Sequence, residues 1–159
     1  MGKAERLFTA MERCADIERD FPGLRGGNYT PTSEADESYN CFAYAVGDTH
    51  NFWQYPRTTG YYWLPEVPDT LAGWVTIFRI HGYTETSDSS LESEYEKIAI
   101  YATDDGPQHV ARQKASGAWT SKLGKGRDIE HDLRAVEGTL YGKVVVTMRR
   151  ECHGKRVLE

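Results

Sequence analysis

Cysteine is scarce in this chain: Cys14, Cys41 and Cys152 are all there is, and no C-x-x-C occurs. Three cysteines cannot all pair with one another, so a disulfide framework is not expected. Cys41, His50, His109 and His131 are the ligand types that zinc uses, but no two of them stand at the spacing of a known zinc motif. We expect no metal and no cofactor. Long apolar runs are also missing, and no segment approaches the roughly 20 apolar residues that span a bilayer. Residues Met1 to Asp20 mix charges throughout, without an apolar centre flanked by a cleavage site. That stretch does not read as a Sec signal peptide, and the expectation is cytoplasmic synthesis, with signal-less export left open.

Positive charge is in deficit. Nineteen Lys and Arg face 24 Asp and Glu, a formal charge of −5. Phosphate binding wants a concentrated basic surface, so no nucleic-acid partner is expected. The densest basic cluster, Arg149, Arg150, Lys155 and Arg156, reads as a solvated tail. Gly124-Lys125-Gly126 lacks the phosphate-loop pattern, which argues against nucleotide binding. Internal repeats and low-complexity tracts are absent.

A chain of 159 residues is read as one domain able to bury a core. Lys3 to Arg19 carries apolar residues at helical steps, and Phe21-Pro22-Gly23 ends that helix. An irregular stretch, Arg25 to Glu37, leads to a helix from about Asn40 to Val46, with Asp36 and Ser38 as candidate caps and Gly47 as its stop. Asn51 to Pro68 is aromatic and rich in proline, without a period, and reads as an ordered loop over the core. Asp69 then caps a helix whose Leu71, Trp74, Val75 and Phe78 share a face, with Gly82 beyond it.

The second half changes character. Glu96 to Ala102, His109 to Gln113, Ala118 to Lys122 and Tyr141 to Arg149 read as strands, with Asp128 to Glu137 as a helical or irregular crossover. Helices first and an antiparallel sheet afterwards predict a two-layer α+β domain. Its core spans about residues 21–150, with an N-terminal helix over 3–19 and a tail over 151–159.

Two segments carry chemistry. In Tyr39-Asn40-Cys41-Phe42-Ala43 a cysteine stands at a helix start, where the local field favours its thiolate. In His109-Val110-Ala111-Arg112-Gln113 a histidine opens a strand and is able to take the proton. Together they make a thiol hydrolase if the fold joins them; apart, Cys41 is a small buried hydrophobe and His109 a polar strand residue. Asn40 and the Cys41 amide are candidate oxyanion donors. Trp53 and Trp63, with Tyr62, are candidate walls of a substrate groove, with loop packing as the alternative. Lys122 either holds a substrate carboxylate or pairs with Asp128.

The run H-V-A-R-Q, G-A-W-T-S-K-L-G and I-E-H, followed by Y-G and a terminal strand, resembles papain-like bacterial proteins of the NlpC cell-wall-peptidase type. It is most similar to a bacterial family of unknown function whose pattern begins Y-N-C-x-A and continues through a Trp/Pro-rich loop, E-K-I-A and S-K-L-G. The resemblance covers about Phe21 to Arg150. It implies a papain-like fold, with Cys41 as nucleophile and His109 as general base.

Related enzymes orient the imidazole from the next strand with His, Asn, Gln or an acidic residue. Strand alternation puts Ser121 at that place here, although a hydroxyl holds a ring more weakly than a carboxylate does. Gln113, on the same strand face as His109, is a second option. Glu130, His131 and Asp132 are further options if the crossover folds back.

The expected activity is hydrolysis of an amide bond in a peptide or protein substrate. A glutamine deamidase or transglutaminase, such as an effector toxin, uses the same pair. A binding module that retains the fold without catalysis is the contrasting class. A sulfur facing a cleft within roughly 4 Å of the imidazole marks the enzyme, and a buried, inaccessible Cys41 marks the module.

Overall fold

The computed structural model describes residues 17–27, 29–32, 40–47, 50, 53, 63–123 and 128–152. Residues 17–20 are helical and run into a 3-10 turn at Pro22–Leu24; the rest of the helix expected over Lys3–Arg19 lies outside the described residues. Two helices follow, α1 (Cys41–Val46) and α2 (Leu71–Ile80). Seven strands complete the fold: β1 (Tyr29–Pro31), β2 (Thr84–Thr86), β3 (Tyr95–Thr103), β4 (Gly106–Gln113), β5 (Trp119–Lys122), β6 (Asp128–His131) and β7 (Lys143–Glu151). They form one antiparallel sheet in the order β1-β6-β5-β4-β3-β7-β2. The protein is therefore a mixed α+β domain. No helix among the described residues is long and apolar enough to cross a membrane.

Alternation along the central strands sends successive side chains to opposite faces. Ile98, Ile100, Val110 and Met148 face α1 and α2, where Phe42 sits among four rings: Trp53, Trp63, Trp74 and Phe78, at centroid distances of 5.4, 5.1, 4.9 and 5.1 Å. Ala99, Tyr101, Ala111, Trp119 and Ile129 face the other way, under Ile17, Phe21, Leu24 and Val136. The sheet is thus covered on both faces, a third layer that the two-layer expectation lacks.

Three further expectations change. The crossover over Asp128–Glu137 begins as a strand: Asp128–His131 pairs with β5 on one side and β1 on the other. Its alternation is hidden in the sequence because His131, a polar residue, shares the buried face with Ile129. Arg149 and Arg150 belong to β7 rather than to a solvated tail. Each pairs with a carboxylate, Glu92 at 2.9 Å and Glu96 at 2.6 Å, and lies over a tyrosine ring, Tyr95 and Tyr83 respectively. The cap of α1 is Asn40 itself, and the cap of α2 is Thr70, whose hydroxyl accepts the Gly73 N–H at 3.1 Å. Asp69 instead accepts the Trp74 indole N–H at 2.8 Å. Asp36 and Ser38 lie outside the described residues.

Candidate active site

Helix α1 is short, so its start depends on its cap. Asn40 Oδ1 accepts from Ala43 N at 3.1 Å and from Trp53 N at 3.1 Å, while Nδ2 donates to Trp53 O at 2.5 Å. One side chain thus caps the helix and ties the Trp53 backbone to it. These bonds use the amide oxygen and one N–H of Asn40 for structure, which leaves its second N–H as the oxyanion donor expected. Gly47, at φ 86°, closes the helix in the left-handed conformation that residues with a Cβ avoid.

Cys41 is the first helical residue and is buried, with 9% of its surface exposed. The backbone N–H groups of Val110, Phe42 and Cys41 point at its sulfur, and the buried Lys122 adds a favourable charge. Burial outweighs them all and pushes the thiol up to about 11. The helix start therefore does not deliver the resting thiolate expected from the sequence. The contact with Val110 N–H does bring the sulfur to β4, one residue from His109. Strand β5 pairs with β4 at Arg112 and Gln113, which leaves the helix start to meet β4 beyond the end of that ladder.

His109 is fully buried. Its Nε2 lies 2.9 Å from Ser121 Oγ, which lies 2.6 Å from His131 Nε2; His131 Nδ1 lies 2.6 Å from the Asp132 carbonyl oxygen. The register explains the chain of bonds. Ser121 pairs with Ile129, and His131 stands two residues further on the same face, so the path steps diagonally across β4, β5 and β6. Ser121 and His131, alternatives in the sequence, are consecutive links here.

The carbonyl at the far end fixes the direction of every bond. A carbonyl only accepts, so His131 Nδ1 carries a proton and donates it. Burial lowers the proton affinity of His131, and the neutral ring then offers Nε2 as an acceptor. Ser121 donates to that nitrogen and accepts from His109 Nε2–H. His109 is left with its lone pair on Nδ1, which has no hydrogen-bond partner among the described residues. Burial first, and His131 second, hold the His109 proton affinity well below the usual histidine value.

Tyr141 lies flat on this ring, with centroids 4.0 Å apart and planes 3° apart. Tyr101, opposite His109 on β3, approaches at 5.3 Å. Neither tyrosine is singled out by the sequence reading, and the only signal was the Tyr-Gly pair before the last strand.

The remaining candidates lie elsewhere or do other work. Gln113 donates to Ser89 O at 3.2 Å and Gly117 O at 3.4 Å, so it does not orient His109. Glu130 pairs with Lys114. Trp53 and Trp63 are buried in the aromatic cluster around Phe42, and Tyr62 lies outside the described residues. Lys122 and Asp128 face each other across β5 and β6, both buried. Among the described residues no group of three or more His, Cys, Asp or Glu side chains is arranged to hold a metal ion.

The fold and site define an α+β domain with a buried histidine–serine–histidine chain and a helix-start cysteine whose sulfur meets the Val110 N–H of β4. The chain belongs to the family described as a domain of unknown function (DUF7689), whose model matches residues 30–149. Neither the curated proteins nor the solved structures contain a significant match.

Proposed function

We propose that the protein is a papain-like thiol hydrolase acting on an amide bond of a peptide or protein. The observation that carries the reading is the one-way hydrogen-bond chain ending on a buried His109 Nδ1 that has no hydrogen-bond partner among the described residues. A buried polar atom without a partner costs about 1–3 kcal/mol, and a catalytic role is one reason for such an atom to persist. The chain holds His109 in the tautomer that a general base needs.

The resting pair is neutral, because burial raises the thiol and lowers the imidazole. Proton transfer therefore accompanies attack instead of preceding it. Cys41 Sγ bonds to the carbonyl carbon as its proton passes to His109 Nδ1, and the Cys41 amide with the Lys122 charge steadies the oxyanion. The imidazolium gives the proton to the leaving amine, and a thioester remains. Water then attacks the thioester with Nδ1 as base, and the sulfur leaves and regains its proton.

The binding-module reading has an observation of its own in the burial of Cys41. Iodoacetamide labelling followed by mass spectrometry separates the two, with Cys14 and Cys152 as internal references. In an enzyme, His109→Ala slows alkylation of Cys41 by about a hundredfold or more, the range general-base catalysis contributes. Equal rates at Cys41 in both proteins overturn the hydrolase.

A further inference from the structure

The imidazole of His109 is fixed in its plane by Ser121, but a single hydrogen bond leaves rotation about that bond open. The face of the ring is held by something else. Gly138 and Gly142 exchange two backbone hydrogen bonds, N to O at 3.0 Å and 2.8 Å, and pinch the five residues between and including them into a closed loop. Gly142 has φ 74°, and a Cβ there would stand 1.9 Å from the Ala102 carbonyl oxygen. Glycine alone lets the loop seat on the end of β3, beside Tyr101 and hence beside its cross-strand partner His109. The residue before that glycine is Tyr141. Phe21 backs the Tyr141 ring at 4.8 Å.

We propose that Tyr141 is a positioning residue for His109: the pinched loop presses its ring on the imidazole, fixes the ring plane and carries the positive charge formed when Nδ1 takes a proton. The inference rests on the hydrolase reading for the origin of that proton. The parallel stack itself is independent of any reaction. An aromatic face attracts a cation, and does so most strongly in a site without water. Burial keeps the Tyr141 phenol protonated well beyond its usual range. Tyr141 therefore meets His109 as a neutral ring and not as an acid. The other groups around the imidazole are Tyr101 from β3, Ser121 from β5 and, beyond the serine, His131 from β6. None of them covers its face in parallel.

The test compares wild type with Tyr141→Phe and Tyr141→Leu in two measurements at one neutral pH. The first is the proton and nitrogen NMR of the His109 imidazole. The carbon-bound ring protons of His109 are shifted upfield by the stacked ring in wild type and in Tyr141→Phe. In Tyr141→Leu that shift is lost, while the Nε2–H tautomer, set by Ser121, persists. The second is the alkylation rate of Cys41. We expect Tyr141→Leu to lower it about tenfold and Tyr141→Phe to restore it, as a cation–aromatic contact of roughly this size would require.

A folded Tyr141→Leu protein with wild-type imidazole shifts and a wild-type rate overturns the proposal. So does a Tyr141→Phe protein as slow as Tyr141→Leu, because the hydroxyl and not the ring would then be responsible. Failure of the hydrolase reading looks different: His109→Ala leaves the rate at Cys41 unchanged, yet the imidazole shifts still follow the ring at position 141.

Discussion

A single hydroxyl decides the protonation pattern of the site. Ser121 stands between two imidazoles and satisfies one nitrogen of each. Ser121→Ala leaves both nitrogens buried without partners, at a cost of about 1–3 kcal/mol each. It also frees His109 from the direction imposed by the Asp132 carbonyl. The expected outcome is a loss of roughly 2–4 kcal/mol in urea unfolding, together with nitrogen NMR signals of a mixed His109 tautomer. A Ser121→Ala protein that keeps His109 wholly in the Nε2–H form would show that the tautomer is set elsewhere. Cys41 makes a second prediction at this scale. Burial pushes its thiol up to about 11, so its alkylation rate keeps rising with pH beyond 9 instead of levelling off near 8.5. A plateau below pH 8 would mean that the thiolate is already stabilised at rest. Strand alternation made Ser121 legible from sequence. Its link to His131 was not, because a four-residue strand with one apolar residue facing in does not announce its register.

At the scale of elements, the chain's helices rest on their caps more than on their length. Helix α1 has six residues, too few to persist by propensity, and the sequence pattern still located it within one residue because Gly47 is an unmistakable stop. The cap was misplaced for a physical reason. Asp36, Ser38 and Asn40 all suit an N-cap, and only the tertiary bonds to Trp53 favour Asn40. Those same bonds leave one N–H of Asn40 for oxyanion duty. Asn40→Ala should cost about 1 kcal/mol for the cap and a comparable amount for the lost Trp53 contacts, measured by urea or thermal unfolding. Asn40→Ser keeps an acceptor for the cap and loses the Trp53 contacts, so it should cost less than Asn40→Ala. If Ser is as damaging as Ala, the helix cap is not what the residue contributes.

The whole molecule stores two neutral histidines in its second core, and that sets how it meets acid. His109 and His131 lie on the sheet face packed under Ile17, Phe21 and Leu24, where burial lowers the proton affinity of both. In the unfolded chain each titrates near 6.5. Below that value the unfolded state binds more protons than the native state, so stability falls as pH falls. The effect is absent above about pH 7 and grows through the window below 6.5, until the native state itself takes up the protons. Each unit of pH costs up to about 1.4 kcal/mol per histidine. A second, lower window belongs to the carboxylates: Asp88 is held below its usual value first by Ser90, and Glu92 first by Lys97. Their contribution is present above the ordinary carboxylate range and is lost beneath it, so the two windows separate. Unfolding free energies from urea titrations should therefore be flat between pH 8 and pH 7 and then decline towards pH 5 with a slope that approaches two protons. Replacing one buried base, as in His109→Gln, should reduce that slope by close to one proton even though the variant is less stable at every pH. An unchanged slope would mean that His109 is protonated in the folded protein, which would undo both the direction of the Ser121 chain and the bare Nδ1 on which the hydrolase reading depends.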